Sequence, residues 1–147
     1  MPRPPDQIIG DPPYMRRWYV IPRNSWFNIY YHEIVRSDDD RALHDHPWSF
    51  NVSLILAGGY FELARRHEHA AYMRWWGRGS VIVRCGGAFA HRLILPHGTV
   101  ARTLFITGPR VREWGFLCPQ GWRHWKDFTA FRTDGDSSRV GPGCGEP

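Results

Sequence analysis

The stretch His44-Asp45-His46-Pro47-Trp48-Ser49-Phe50-Asn51-Val52-Ser53-Leu54-Ile55-Leu56-Ala57-Gly58 decides how this chain is read. Two histidines two residues apart on a strand point to the same face, so they can offer two imidazoles to one metal ion. Pro47 fixes φ and opens a turn, because it cannot continue a central ladder. The next strand starts at Asn51. Alternation puts Asn51, Ser53 and Ile55 on one face and Val52, Leu54 and Leu56 on the other. A third histidine, His91, follows the segment Gly79-Ser80-Val81-Ile82-Val83-Arg84-Cys85-Gly86-Gly87-Ala88-Phe89-Ala90, whose glycines let the chain turn sharply before it. Three imidazoles with positions left open make a site of the catalytic rather than the closed, structural kind.

Short β-branched and aromatic runs surround this stretch. They cover residues 15–21, 27–36, 51–57, 60–64, 72–76, 80–83, 91–95 and 100–107, and turn signals such as Gly58-Gly59 and Pro96-His97-Gly98 punctuate them. Strands at this spacing predict an all-β sandwich or barrel. Trp122, Trp125, Phe128 and Phe131 recur every third residue, which predicts a short helix over Gln120 to Phe131 with an aromatic stripe packed on the barrel. Residues 1–13 hold five prolines and read as an extended N-terminal arm, residues 14–132 as the barrel, and the Gly/Pro-rich residues 133–147 as a disordered tail.

The motifs resemble those of the cupin superfamily. Its first motif runs G-x5-H-x-H-x3,4-E-x6-G, and this chain gives His44-x-His46-x4-Asn51-x6-Gly58. Its second runs G-x5-P-x-G-x2-H, matched here by Gly79-x5-Cys85-x-Gly87-x3-His91. The resemblance implies a small single-domain jelly-roll barrel holding a divalent metal ion through His44, His46 and His91, with Asn51 at the position of the glutamate ligand. Thiol dioxygenases of the cysteine dioxygenase type are similar in ligand count, binding ferrous iron through three histidines and no carboxylate. By that likeness the expected function is a dioxygenase, an oxidoreductase with Fe(II). A zinc, manganese or nickel ion serving an isomerase, lyase or hydrolase is the alternative, and a non-enzymatic binding module whose aromatic cavity stacks a sugar or nucleotide is a third. A neutral Asn51 leaves the ion its full charge, which favours a small anionic substrate as a direct ligand. Tyr60, which together with Glu62 alternates with Phe61 and Leu63, is the candidate hydroxyl donor, and Arg112, two residues from Trp114, the candidate to close over the barrel.

Composition bounds the remainder. The chain has 147 residues, a hydrophobic share of 42% and a net charge of +5, a single globular domain's worth with a basic surface. No run of five or six like charges exists, so no nucleic-acid tail is indicated. No unbroken apolar run exceeds four residues, the length of Leu54 to Ala57, too short to span a membrane. The first residues lack an apolar signal segment, which sets the expectation at cytoplasmic. An all-β barrel with exposed aromatic strands can pair with a copy of itself, so a homodimer is expected. Cys85, Cys118 and Cys144 are odd in number and lack C-x-x-C spacing, and so read as neither a disulfide framework nor a zinc set. The second H-x-H, His67-Glu68-His69, lacks the proline turn and reads as an exposed hairpin tip. His97 and His124 read as surface residues, while His32 could face either cavity or core.

Overall fold

The computed structural model describes residues 3–10, 12–38, 42–66, 69–86, 89–129 and 141–145. In chain order the strands are β1 (Gln7–Ile9), β2 (Met15–Tyr19), β3 (Asn28–Ile34), β4 (Leu43–His44), β5 (Phe50–Ala57) and β6 (Gly59–Arg66). They continue as β7 (Tyr72–Gly77), β8 (Val81–Cys85), β9 (Phe89–Ile94), β10 (Ala101–Thr107), β11 (Gly115–Cys118) and β12 (Gly121–His124), before a single helical turn, α1 (Trp125–Phe128). Among the described residues two antiparallel six-stranded sheets result, ordered β1-β2-β3-β10-β5-β8 and β12-β11-β4-β9-β6-β7. This is the all-β jelly roll, with a short C-terminal helical segment, that the motifs imply.

Alternation builds the interior. On β3, Asn28, Tyr30, His32 and Ile34 are buried, and on β6, Tyr60, Glu62 and Ala64. The main core joins Met15, Ile34, Ile55, Ile82 and Ala101 of the first sheet to Tyr60 and Leu93 of the second. Gly58 makes the corner between β5 and β6 at φ +65°, with the Val100 carbonyl pressed where a Cβ would stand. Only glycine meets both demands.

Eight of the predicted strands are present, shifted by a residue or two at their ends, and four strands were not legible. β4 is two residues long and shows no period. β1 lies within the presumed arm, where it pairs with β2 while the Arg3 carbonyl accepts the Trp18 indole N–H. β11 and β12 form a hairpin where a helix was expected, so that expectation is corrected to the single turn α1. Tertiary bonding overrides the period here: Trp122 pairs across the hairpin with Leu117 and donates its indole N–H to Asp45. Trp125 and Phe128 do stack inward, on Trp114 and Phe116 at centroid distances of 5.6 and 3.6 Å, and Phe131 lies outside the described residues.

The cysteine reading is also corrected. Cys118 and Cys144 form a disulfide with Cα atoms 5.4 Å apart, and Cys85 is free and exposed. The bond ties residues 141–145, part of the stretch read as tail, to a second small core of Ala42, Phe116 and Phe128. Residues 133–140, 146 and 147 lie outside the described residues. A cross-link spanning 26 residues removes denatured-state entropy equivalent to about 3.5 kcal/mol in the chain-entropy model. The paired substitution Cys118→Ser with Cys144→Ser is therefore expected to lower the unfolding free energy by about 3 kcal/mol in urea titration. Cys85→Ser should change it by less than about 0.5 kcal/mol.

Candidate metal centre

Strand register brings two of the three histidines together. His44 on β4 stands directly opposite His91 on β9, and its other neighbour is Phe116 of β11. His46 lies beyond the end of β4, so pairing alone does not fix it. Asp45 does so from between the two histidines. Its backbone N–H donates to the Gly115 carbonyl at 2.9 Å, and its carboxylate accepts the Gly115 N–H at 2.8 Å, the Arg112 guanidinium at 2.7 Å and the Trp122 indole at 3.0 Å. The Pro47 carbonyl then accepts the Val111 N–H. The three imidazoles stand 4.9–5.2 Å apart between ring centroids.

One ring nitrogen from each histidine lies within 4.8 Å of the others, and His46 Nε2 approaches His91 Nε2 to 2.8 Å. Nitrogens sharing one ion at ~2.1 Å stand at most ~4.2 Å apart, so the cluster needs only sub-ångström adjustment to accept a metal. Burial favours the neutral form of two of the donors. Burial, then repulsion from the other imidazoles, holds His46 well below the usual histidine range. Burial also lowers His91, against an opposing pull from Glu62. Neutral imidazole is the metal-binding form.

Glu62 completes the arrangement. Its buried carboxylate takes His91 Nδ1 at 2.5 Å, the Trp76 indole at 2.7 Å and Arg84 Nη2 at 2.7 Å. Burial alone would raise this carboxyl. The His91 hydrogen bond, then the Arg84 charge and the Trp76 N–H, outweigh it and hold the group ionised below its ordinary range. An anion on Nδ1 fixes the proton there and leaves His91 Nε2 as the lone-pair donor toward the cluster. Aromatic rings wall the site: His46 stacks on Trp48, His44 meets Trp114 and Phe116 edge-on, and Phe89 borders His91.

The structure thus brings together His44, His46 and His91. Asn51 is buried on β5, in the other sheet, opposite Arg84 and Thr107. Tyr60 sits in the main core two residues from Glu62, and burial, with the Glu62 charge second, pushes its phenol up, so it stays protonated. The Arg112 guanidinium engages Asp45. His32 faces inward, its ring between Tyr30 and Phe105, with Arg17 Nε donating to its Nε2 at 2.9 Å. His124 pairs with Glu113 at 3.0 Å. His67 and Glu68 lie outside the described residues. The roles of Glu62, Asp45 and Arg84 were missed. Alternation with Tyr60 showed the inward phase of Glu62, but nothing local in the chain shows that β9 would be its neighbour.

Two outcomes follow from these contacts. Asp45→Ala leaves the Gly115 N–H, Arg112 and the Trp122 indole without their shared acceptor and should cost about 3 kcal/mol of stability in denaturant titration. Burial, then the Arg17 charge, keeps His32 neutral far below its ordinary range. The unfolded chain gains a proton at about pH 6.5 that the folded one does not, so this group weakens the fold as pH falls below that value. His32→Gln should flatten the acid limb of unfolding free energy against pH by up to about 1.4 kcal/mol per pH unit.

No protein-family model matches the chain, and no curated protein matches it in sequence. Solved structures do. DMSP lyase DddQ from Ruegeria pomeroyi is 16% identical with a TM-score of 0.56, over 74% of this chain and 54% of that one. A cupin-2 domain protein from Rhodospirillum rubrum is 12% identical with a TM-score of 0.55, over 74% and 68%. FeII HppE is 13% identical with a TM-score of 0.52, over 74% and 59%. The match thus takes in less than two thirds of DddQ and of HppE, and at these identities the likeness is one of fold. No helix among the described residues is long and apolar enough to cross a membrane. With its two antiparallel sheets in this order and His44, His46 and His91 converging from β4, the turn after it and β9, the chain has the cupin fold.

Proposed function

We propose that His44, His46 and His91 hold one divalent metal ion, iron(II) in first place, and that the protein is a dioxygenase acting on a small anionic molecule. The observation that carries this reading is the convergence of three imidazoles with no carboxylate among them in the described residues, while Glu62 is spent on His91 Nδ1. When bound, iron(II) supplies redox chemistry with dioxygen, whereas zinc supplies a Lewis acid. The chain's own groups do the rest. Glu62 holds the Nδ1 proton of His91. Asp45, positioned by Arg112, sets the angle of the His44–His46 segment. Trp48, Trp114 and Phe116 keep bulk water from the imidazoles. Tyr60 offers a neutral hydroxyl. Asn51 adds no charge, so the substrate supplies the negative one.

The FeII form of HppE supports iron on this fold, and the lyase DddQ supports a second reading, a lyase with zinc, manganese or nickel. Metal analysis of protein purified without chelator is expected to give one equivalent of metal, lost in His91→Ala. Equal metal content in the two would overturn the site. Oxygen uptake with ferrous iron and a panel of thiols and small carboxylates then separates dioxygenase from lyase, since a lyase consumes none. Glu62→Gln is expected to weaken metal binding 10–100-fold in a competitive chelator titration, because the orienting charge on His91 is lost.

A further inference from the structure

Four inward side chains form one line across the first sheet. Register pairs Asn28 of β3 with Thr107 of β10, Thr107 with Asn51 of β5, and Asn51 with Arg84 of β8. Asn28, Thr107 and Asn51 are buried, and the Arg84 side chain is 16% exposed. The adjacent residues on the outer face are Ile29, Ile106, Val52 and Val83, also in register, with Val83 56% exposed. This end of the sheet is therefore polar inside and apolar outside, the reverse of what packing alone selects. Asn28 is engaged with the loop before β3, where its amide bonds Asn24. Thr107 Oγ1 and Arg84 Nε, by contrast, are buried with no hydrogen-bond partner among the described residues. Each such orphan costs about 1–3 kcal/mol.

We propose that Arg84, Asn51 and Thr107 bind the carboxylate of a small ligand. All three present donors: a guanidinium N–H, an amide N–H and a hydroxyl. A carboxylate brings acceptor oxygens to these donors, whereas a cation would meet the Arg84 guanidinium, whose Nη2 already faces Glu62. Arg84 already reaches across to Glu62, which holds His91, so the row adjoins the histidine cluster. The inference deepens the metal-site reading by naming what binds the ligand's charged end, but the row itself stands on register and burial alone.

Glycolate serves as probe, with glycolamide as its uncharged counterpart, titrated calorimetrically into the full chain with and without metal. Glycolate is expected to bind at least tenfold more tightly than glycolamide in both forms. It should also keep that preference in His91→Ala, which disables the metal site. Thr107→Val and Arg84→Gln should each weaken glycolate at least fivefold, with Arg84→Lys partly restoring it. Thr107→Val carries the test if Arg84→Gln unfolds the protein: it should raise the melting temperature of the ligand-free protein, because an orphan hydroxyl is gone, while losing the glycolate-induced shift. Equal affinity for glycolate and glycolamide, or undiminished glycolate binding in Thr107→Val, overturns the row. Glycolate binding that needs metal and ignores Thr107→Val overturns the row and leaves the metal site standing. Metal loss in His91→Ala with the row intact leaves both standing.

Discussion

A single buried carboxylate organises the interior. Glu62 gathers a histidine from β9, an indole from β7 and a guanidinium from β8, and the last of these lies in the opposite sheet. A buried charge is tolerated only when its lone pairs are met, so three donors must arrive from three strands at fixed distances. The two sheets are thereby pinned to each other at the level of the imidazoles. The apolar core of Met15, Ile34, Ile55 and Leu93 supplies the bulk of the driving force without direction. The Glu62 network supplies direction.

Asp45 performs a parallel task outside the cluster. A side chain flanked by two metal-binding candidates necessarily leaves from the other side of the backbone, and here it finds Gly115, Arg112 and Trp122 waiting. Gly115 has no room for a Cβ, because the Arg123 carbonyl and the Trp122 indole occupy that space. The H-x-H segment is thus held from behind by a hairpin some seventy residues later in the chain.

What could be read in the chain divides along local and non-local lines. Period-two alternation, the Pro47 turn, the Gly58 corner and the H-x-H spacing are local, and they yielded eight strands and the three histidines. The partners of Glu62, Asp45 and Arg84 depend on which strands become neighbours, so the residues were visible and their tasks were not. The Trp122–Phe131 spacing misled because a period of three fits a helix, yet Trp122 is placed by Asp45 and not by its own neighbours. The Cys118–Cys144 pair carried no spacing signal at all.

That bond also bears on the order in which the molecule can assemble. Phe116 touches His44 on one side and Phe128 on the other, and the layer behind it closes only with Cys144. The first two imidazoles are made some seventy residues before the hairpin that backs them. Until β11 is made, β4 lacks its neighbour on that side, and its unpaired edge is exposed to non-native pairing in the meantime.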